Sequence, residues 1–465
     1  MPSQIQALVI GAGISGLATG FALQRANISA FVVDSAQRPG GVIQSVKRDG
    51  YLLEYGPQSF SGNSQISQLC LELGILEDRV LADPKAPRYV LINGALQNVP
   101  MSPALLASSF FGGGTRTSIV RDIFGNRQPP EPDESVADFT RRKFSETLLD
   151  RLVGPFVSGI YAGDPEKLSL RAAFPILYKA EKASGSLMRG VFKVLKDRKA
   201  KHGAEPREKP TLQTFRDGNE TLVRALAESL GEQLLLGFEV ASIEALDPGL
   251  EPNAPRFSVK LRSSEGTRIL EVERLVMATP TNVTAKLLSA FDPAFETNLS
   301  AVEYSGVAVV SLGYRKKDVS NPLTGFGFLV PRSSRLSILG SVWNSSLFPG
   351  RAPDGEALLT SFVGGATNPG AIRQSQEELA IQVHREIAPI LKIGKEPVFT
   401  NVTIWPRAIP QYNLGHVERL AAVEKARMRF PGMYISGNYL NGPAIGTCVE
   451  QALKVANEIR VSFAN

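Results

Sequence analysis

The fold is decided near the start of the chain, where residues 5–18 read IQALVIGAGISGLA. The apolar half of this stretch predicts a buried strand, and the glycine-rich half predicts the start of a helix. The glycines follow the spacing Gly-x-Gly-x-x-Gly at Gly11, Gly13 and Gly16. A strand, a glycine turn and a helix in this order are typical of a dinucleotide-binding unit.

Each glycine in this motif has its own physical reason. Gly11 permits the tight turn after the strand, Gly13 lets the backbone approach a pyrophosphate, and Gly16 lets the helix pack closely on the sheet. The helix N-terminus, which contains Ser15, offers free N–H groups and the positive end of its dipole to phosphates. We therefore predict that these four residues contact a pyrophosphate; the alternative is a chance glycine turn.

A second strand and an acidic residue complete the unit. Residues 30–33 are apolar and lead to Asp34, whose carboxylate can accept hydrogen bonds from ribose hydroxyls. The following loop, 37–41, reads QRPGG, and its paired glycines would let a second stretch of backbone approach the cofactor, although such residues also form ordinary loops. With Asp34 upstream, the loop resembles the second fingerprint of the flavin-containing amine oxidase superfamily, and this resemblance implies FAD instead of NAD. The contacts predicted here are Asp34, Ser35, Arg38, Gly40 and Gly41.

Composition limits the class of protein. The chain has 465 residues, of which 43% are hydrophobic, so we expect two or three globular domains. No apolar run approaches the ~18 residues of a transmembrane helix, and the chain enters its first strand too early for a signal or transit peptide. The net charge of +6 allows nucleic acid, an anionic membrane or an acidic substrate, but no nucleic-acid motif accompanies it. The basic stretch 193–209 is interpreted as a solvated loop, with a membrane contact as the alternative.

Cysteine and histidine usage argues against disulfides and metals. Only Cys70 and Cys448 are present, which favours a reducing compartment. The histidines at 202, 384 and 416 have no ligand spacing, so no metal site is predicted.

Later segments return to the cofactor. Residues 274–280 predict a buried strand that rejoins the first sheet and would place Thr279 at its end, and 237–243 predict a further strand that contains Val240. Within the block 433–439 a strand is predicted to end at Gly437, and the turn 441–446 is predicted to lead into a helix. A helix N-terminus aimed at a flavin would stabilise its negatively charged reduced form by about 0.3–2 kcal/mol, whereas the plain interpretation is a strand–turn–helix. The contacts predicted here are Gly437, Asn438, Ala444, Ile445 and Gly446.

Three segments then identify a family resemblance: 87–94 (PRYVLING), 156–165 (FVSGIYAGDP) and 405–411 (WPRAIPQ). Together with 51–57 (YLLEYGP) they resemble the oxygen-dependent, FAD-containing protoporphyrinogen oxidases, in the plastid and cyanobacterial branch of the flavin-containing amine oxidase superfamily. Departures are Asp34, where a glutamate is usual, and the Pro and Thr at positions 443 and 447.

The resemblance implies an α/β fold, α+β overall, with three parts. A discontinuous Rossmann-type domain would bind FAD non-covalently, a mixed sheet with strands near 307–314, 327–330, 338–343 and 358–363 would bind substrate, and a helical domain would associate with the membrane. The expected boundaries are 1–85, 211–290 and 405–465 for the first domain, 86–94 and 291–404 for the second, and 95–210 for the third. Further cofactor contacts implied are Gly56, Pro57, Gln58, Ser59 and Trp405.

The implied reaction is oxidation of protoporphyrinogen IX to protoporphyrin IX, with hydride passing from a methylene bridge to flavin N5 and with O2 reduced to H2O2. Arg88 resembles the arginine that pairs with a substrate propionate, and Gly159 the glycine whose backbone lies against the macrocycle; we therefore assign both to catalysis. Their plain interpretations are a surface arginine and a turn glycine. Phe326, Leu329 and Ile338 would sandwich the tetrapyrrole or belong to the sheet core.

The resemblance also implies partners and a location. They are a peripheral membrane contact that includes residues 102–111, a homodimer, and a ferrochelatase or another enzyme of haem and chlorophyll synthesis. We expect a cytoplasmic location in a bacterium, or a plastid if a transit peptide has been removed. The alternatives are a carotenoid desaturase, an amine oxidase, oxidation of coproporphyrinogen III, and a flavin-bound scaffold without turnover.

Overall fold

The structure is a computed structural model, and it describes residues 4–100, 114–115, 117–118, 122, 131–187, 189–190, 211–247, 249 and 254–464. The described strands are β1 (Gln4–Ile10), β2 (Ala30–Asp34), β3 (Ser45–Arg48), β4 (Tyr51–Glu54), β5 (Phe60–Ser61), β6 (Arg79–Leu81), β7 (Arg88–Ile92), β8 (Ala95–Asn98), β9 (Leu212–Phe215), β10 (Leu234–Leu236), β11 (Glu239–Ala245), β12 (Phe257–Ser263), β13 (Gly266–Met277), β14 (Tyr304–Arg315), β15 (Gly327–Leu329), β16 (Ile338–Val342), β17 (Glu356–Gly364), β18 (Phe399–Pro410) and β19 (Met433–Ile435).

The described α-helices are Ile14–Arg25, Ser64–Glu72, Val136–Lys143, Glu146–Leu148, Gly154–Tyr161, Leu170–Ala173, Pro175–Ser184, Glu220–Leu230, Thr281–Leu288, Pro293–Ser300, Asn344–Leu347, Gln376–Leu391, His416–Arg427 and Ile445–Ala464, with a π-helical turn at Leu149–Val153. None of these helices is long and apolar enough to cross a membrane.

The first large sheet has a parallel centre. Its strand order is β10-β2-β1-β13, with β19 also paired to β13, and all these pairs are parallel. Residues in the middle of β1, such as Leu8 and Val9, are fully buried because helices cover both faces, as parallel sheets require. Strands β11 and β12 extend the sheet as an antiparallel ribbon through the first half of β13.

The carboxyl ends of the parallel strands lie side by side. Ile10 is in register with Met277, and Met277 with Ile435. The amide of Ala278 donates to Ile10 O, and the amide of Ser436 donates to Met277 O, each over 2.8 Å. The loops that follow β1, β13 and β19 therefore leave the sheet at one edge, where open α/β sheets bind their ligands.

The second large sheet has the order β18-β14-β17-β16-β15-β7-β8, antiparallel except for the parallel pair β15–β7. One side of this sheet packs under the helix Gln376–Leu391. The opposite side packs against the helical segment 144–161. The predicted strands at 307–314, 327–330, 338–343 and 358–363 correspond to β14 to β17. Two smaller sheets, β3-β4 and β5-β9-β6, connect the large ones.

The mixed α/β architecture is confirmed, but two predicted boundaries cut continuous elements. Residue 405 falls inside β18, which pairs with β14 up to Pro410. The boundary at 94 splits the hairpin β7–β8, because Ala95 pairs with Ile92. The segment 102–111 lies outside the described residues.

Candidate functional site

The first glycine loop has the shape that the motif predicts. Gly11 has a φ of +110°, and a Cβ there would lie 2.5 Å from Ala278 O. A Cβ on Gly16 would lie 1.8 Å from Gly11 O, so only glycine at this position lets the helix pack against the loop. A Cβ on Gly13 would meet no atom within 4 Å, so this position faces open space and leaves room for a ligand.

The second glycine loop sits against the first. Gly40 donates its amide to Ala12 O over 2.7 Å, and a Cβ on Gly41 would meet only Gly13 Cα, at 3.7 Å. The Arg38 guanidinium donates to the carbonyl oxygens of Pro39, Gly41 and Ile43. Arg38 therefore shapes this loop, and its predicted contact with the cofactor stays a prediction.

Asp34 lies at the end of β2, as predicted. One carboxylate oxygen accepts from Ala12 N over 2.7 Å, and the other accepts from Ala36 N over 2.9 Å. Each oxygen retains a second acceptor site for a ribose hydroxyl. Ser35 is exposed beside it, and the amide of Phe238 donates to Asp34 O, so that β11 and its half-buried Val240 begin nearby.

The loop 54–59 is held by side chains that come from the second half of the chain. Trp405 Nε1 donates to Tyr55 O over 2.6 Å, and Asn344 Nδ2 donates to Gln58 Oε1 over 2.7 Å. A Cβ on Gly56 would lie 2.0 Å from Val42 O, so this loop also touches the second glycine loop. Pro57 O accepts from the side chain of Asn219, and Ser59 is half-buried.

A buried ion pair fastens the start of this loop. Arg351 and Glu54 are 2% and 3% exposed, and Nη1 lies 2.9 Å from Oε1. Glu54 also accepts from Ser45 Oγ and from the amide of Asn219, while Arg351 donates to Thr214 Oγ1. Burial raises the pKa of Glu54, and the attraction of Arg351 opposes that shift.

The C-terminal block reaches the same sheet edge. Gly437 and Asn438 follow Ser436, and a Cβ on Gly437 would lie 2.7 Å from the Tyr439 ring. Cys448 lies near Ser15, so the helices Ile14–Arg25 and Ile445–Ala464 begin beside each other. Ala444 is exposed, whereas the Ile445 side chain is buried in the core and leaves only its backbone for a ligand. A Cβ on Gly446 would contact Asn63 at 3.3 Å.

These parts fit a flavin dinucleotide. Open space at Gly13, two adjacent helix N-termini and two apposed glycine loops suit a pyrophosphate. Ser436 is fully buried, and its hydroxyl has no partner among the described residues, as expected of a group whose partner is a ligand. Thr279 has its methyl 3.2 Å from the Cβ position of Gly11 and its hydroxyl 2.8 Å from that of Thr284.

Arg88 and Phe326 meet on one face of the second sheet. The Arg88 guanidinium lies over the Phe326 ring, 5.6 Å from its centroid. Arg88 is half-buried, and no carboxylate of the described residues forms an ion pair with it. A half-buried guanidinium without a carboxylate partner suits an anionic ligand.

Leu329 and Gly159 lie on the same side of the sheet. Leu329 is in register with Val90, which has the same parity as Arg88 in β7. A Cβ on Gly159 would lie 2.7 Å from Leu329 Cδ2, so the glycine lets the helix Gly154–Tyr161 approach the sheet closely.

The prediction for Ile338 is wrong. Its side chain is 2% exposed and belongs to the core under the helix Gln376–Leu391, together with Phe328 and Trp343. The reason is a β-bulge between Ile338 and Gly340: Gly340 pairs with Leu329, but the register shift turns Ile338 to the opposite face, beside Val363. The neighbouring residue Leu339 is half-buried.

Several residues that hold the site were not predicted. Arg351, Asn344 and Asn219 each reach the loop 54–59 from more than 150 residues away in sequence. Their residue types carry no local signal in the sequence.

Comparison with known proteins agrees with this geometry. The family model for flavin containing amine oxidoreductases matches residues 14–460, and the chain belongs to that family. The predicted family and cofactor are therefore confirmed: the chain is an FAD-dependent oxidase.

Individual relatives are more specific. The chloroplastic protoporphyrinogen oxidase of Nicotiana tabacum is 36% identical over 478 residues, which cover 98% of this chain and 86% of the relative. The coproporphyrinogen III oxidase of Bacillus subtilis is 29% identical and covers 96% of this chain and 95% of its own. A solved structure from Exiguobacterium, named a candidate protoporphyrinogen oxidase, has a TM-score of 0.80 at 22% identity, with 99% of each chain covered, and shows the shared fold.

Proposed function

We propose that this chain oxidises protoporphyrinogen IX to protoporphyrin IX, with O2 as electron acceptor and H2O2 as second product. The proposal is supported by the 36% identity to a protoporphyrinogen oxidase over nearly the whole chain. The observation that carries it is Arg88, a half-buried cation that lies over Phe326 and has no carboxylate partner among the described residues. A propionate of the substrate would complete this site through a bidentate pair.

The protein's task in this reaction is to hold the substrate and exclude water. FAD, when bound, would supply the two-electron chemistry of each cycle, and three cycles, with three O2 reduced to three H2O2, account for the six electrons that separate the porphyrinogen from the porphyrin. Arg88 fixes one end of the substrate, and Phe326 and Leu329 offer it apolar surface on the same sheet face. Positioning of this kind contributes to the rate without an acid or base on the protein.

The first experiment is an aerobic fluorescence assay with protoporphyrinogen IX, with peroxide measured separately. Arg88→Ala removes a charge-assisted contact of about 1.5–3 kcal/mol, so kcat/KM should fall about tenfold or more. Arg88→Lys keeps the positive charge but loses the bidentate geometry of the guanidinium. Its kcat/KM should therefore lie between those of the wild type and Arg88→Ala. The matched control is Arg268→Ala, on the ribbon of the first sheet, where Arg268 pairs with Glu265.

Two results would reverse the proposal. One is the absence of enzyme-dependent porphyrin from protein that carries oxidised FAD, which would move the search to carotenoids or amines. The other is an Arg88→Ala variant that behaves like the control, which would remove the propionate contact. A preference for coproporphyrinogen III, which has four propionates instead of two, would favour the activity named for the Bacillus subtilis relative.

We also propose that the helical region touches a membrane surface. Phe156 and Ile160 lie one helical turn apart and are 47% and 42% exposed, and Ile176 on a following helix is 54% exposed. Changing all three to serine should reduce co-sedimentation with vesicles of phosphatidylcholine and phosphatidylglycerol. Ile269→Ser, at a 61% exposed site on the first sheet, is the control and should have no effect. An equal loss of co-sedimentation in the triple variant and in Ile269→Ser would contradict the proposal that this surface contacts the membrane.

The homodimer, the ferrochelatase partner and the cytoplasmic location stay predictions.

A further inference from the structure

We propose that Tyr412 and His416 are positioning residues for FAD, because they clamp the turn 438–442 that leads into the second helix N-terminus of the cofactor site. The inference depends on the FAD site and not on the identity of the substrate. A test of FAD binding can therefore contradict this inference without affecting the proposed substrate, and the substrate assignment can be wrong without affecting this inference.

The clamp acts on two consecutive carbonyl groups. The ring nitrogen His416 Nε2 lies 2.8 Å from Tyr439 O, and the Tyr412 hydroxyl donates to Asn438 O over 2.5 Å. The two rings stack with centroids 4.4 Å apart and an interplanar angle of 12°. Both side chains are 1% exposed, so neither can swing away into solvent.

The clamped carbonyl groups stand just before the second helix. The helix Ile445–Ala464 begins six residues after Tyr439. That helix starts beside Ser15 of the first glycine motif. The clamp therefore determines how the second helix N-terminus is presented to a cofactor held by the first.

The chemistry requires a neutral histidine in one tautomer. A carbonyl oxygen only accepts, so Nε2 must carry the proton and Nδ1 must be an unprotonated acceptor. Nδ1 is buried and has no hydrogen-bond partner among the described residues. Burial lowers the pKa of His416, with Arg419 adding to the shift and Asp133 opposing it, which agrees with a neutral ring.

The clamp is itself anchored on the helical region. The amide of Ser169 donates to Tyr412 O over 2.8 Å, the amide of Gly415 donates to Asp133 over 2.7 Å, and the amide of Leu414 donates to Lys167 O over 2.9 Å. These contacts place the clamp between the helical segment and the cofactor turn. A displacement of the helical segment would therefore reach the flavin site through Tyr412 and His416.

The test measures FAD affinity of the apoprotein by quenching of flavin fluorescence, which needs no substrate. His416→Phe keeps a stacked ring but leaves Tyr439 O without its donor, so the FAD dissociation constant should rise about tenfold. His416→Gln can place an amide N–H near the Nε2 position and should stay within about threefold of the wild type. Tyr412→Phe should weaken binding by a smaller factor than His416→Phe.

A second tyrosine–histidine pair supplies the control. The buried hydroxyl group of Tyr314 in β14 hydrogen-bonds over 2.9 Å to half-buried His384 of the helix Gln376–Leu391, and neither residue belongs to the cofactor site. His384→Phe should lower the thermal midpoint of the apoprotein without changing FAD affinity. The flavin absorption spectrum of the loaded proteins gives a second readout and should change only in the Tyr412 and His416 variants.

The proposal is overturned if His416→Phe binds FAD as the wild type does, or if His416→Gln is no better than His416→Phe. It is also overturned if His384→Phe weakens FAD binding equally, because the effect would then be one of general stability. Should His416→Phe not fold, Tyr412→Phe decides, since its unchanged affinity and spectrum would remove the clamp.

Discussion

Arg351 offers a sharp test of how the cofactor loop is held. Arg351→Met keeps the side chain's bulk but leaves Glu54 as a buried carboxylate without its cation. Removing one partner of a buried pair costs about 3–5 kcal/mol. Glu54 would retain hydrogen bonds from Ser45 Oγ at 2.7 Å and from Asn219 N at 2.9 Å, so we expect the lower end, about 3 kcal/mol.

A double-mutant cycle separates the interaction free energy of the Glu54–Arg351 pair from the effects of the individual side chains. Free energies of unfolding would be measured by urea titration of the FAD-loaded protein, with tryptophan fluorescence and flavin release as two probes. In Glu54→Gln/Arg351→Met both charges are gone, and the double variant should recover at least about 1 kcal/mol relative to Arg351→Met alone. A double variant that loses the sum of the two single effects would refute the reasoning.

The pH dependence gives an independent check. In Arg351→Met the pKa of Glu54 should rise further, because burial remains while the opposing attraction is lost. The folded chain then keeps a proton that the unfolded chain releases, so the stability deficit of the variant should shrink as the pH falls from 8 to 5. A deficit that is constant across this range would show that Glu54 is not the source of the cost.

Three further predictions concern the glycines, the tryptophan and the histidine. Gly13→Ala should leave the stability of the apoprotein unchanged but weaken FAD binding, whereas Gly16→Ala should destabilise the apoprotein, since its Cβ would lie 1.8 Å from a carbonyl oxygen; thermal midpoints and FAD titrations distinguish the two. Trp405→Phe loses the 2.6 Å bond to Tyr55 O and should cost about 1 kcal/mol in urea titration, and no loss would show that the bond is not needed. The pKa of His416 is lowered by burial, so the unfolded chain binds more protons below about pH 6.5 and stability should fall as the pH drops from there; His416→Gln should show a flatter profile, and parallel profiles would contradict this.

The part of the site that depends on local geometry could be predicted from the sequence. Gly11, Gly13 and Gly16 act within one strand–turn–helix, so their spacing alone specifies where backbone must approach backbone or ligand. Arg88 followed from a resemblance that residue types alone would not have supported. The structure then added the aromatic support of Phe326.

The rest depends on contacts that no local pattern encodes. Ile338 was misassigned because a shift of one residue turns a strand side chain to the other face. Arg351 and His416 were missed because their partners, Glu54 and Tyr439, are brought to them by the pairing of distant strands and helices. His416 was considered only as a metal ligand, a role that gives no hint of a clamp.

The order in which the cofactor loops occur along the chain has a consequence for biosynthesis. Gly11 and Asp34 emerge from a ribosome well before the turn at Gly437 and the helix Ile445–Ala464, and the two segments share one sheet edge through β13. At ~5–20 residues per second, tens of seconds separate the two events. During that time the sheet lacks β19, so FAD cannot yet bind its complete site. Flavin loading is therefore expected only after the helix Ile445–Ala464 has been synthesised.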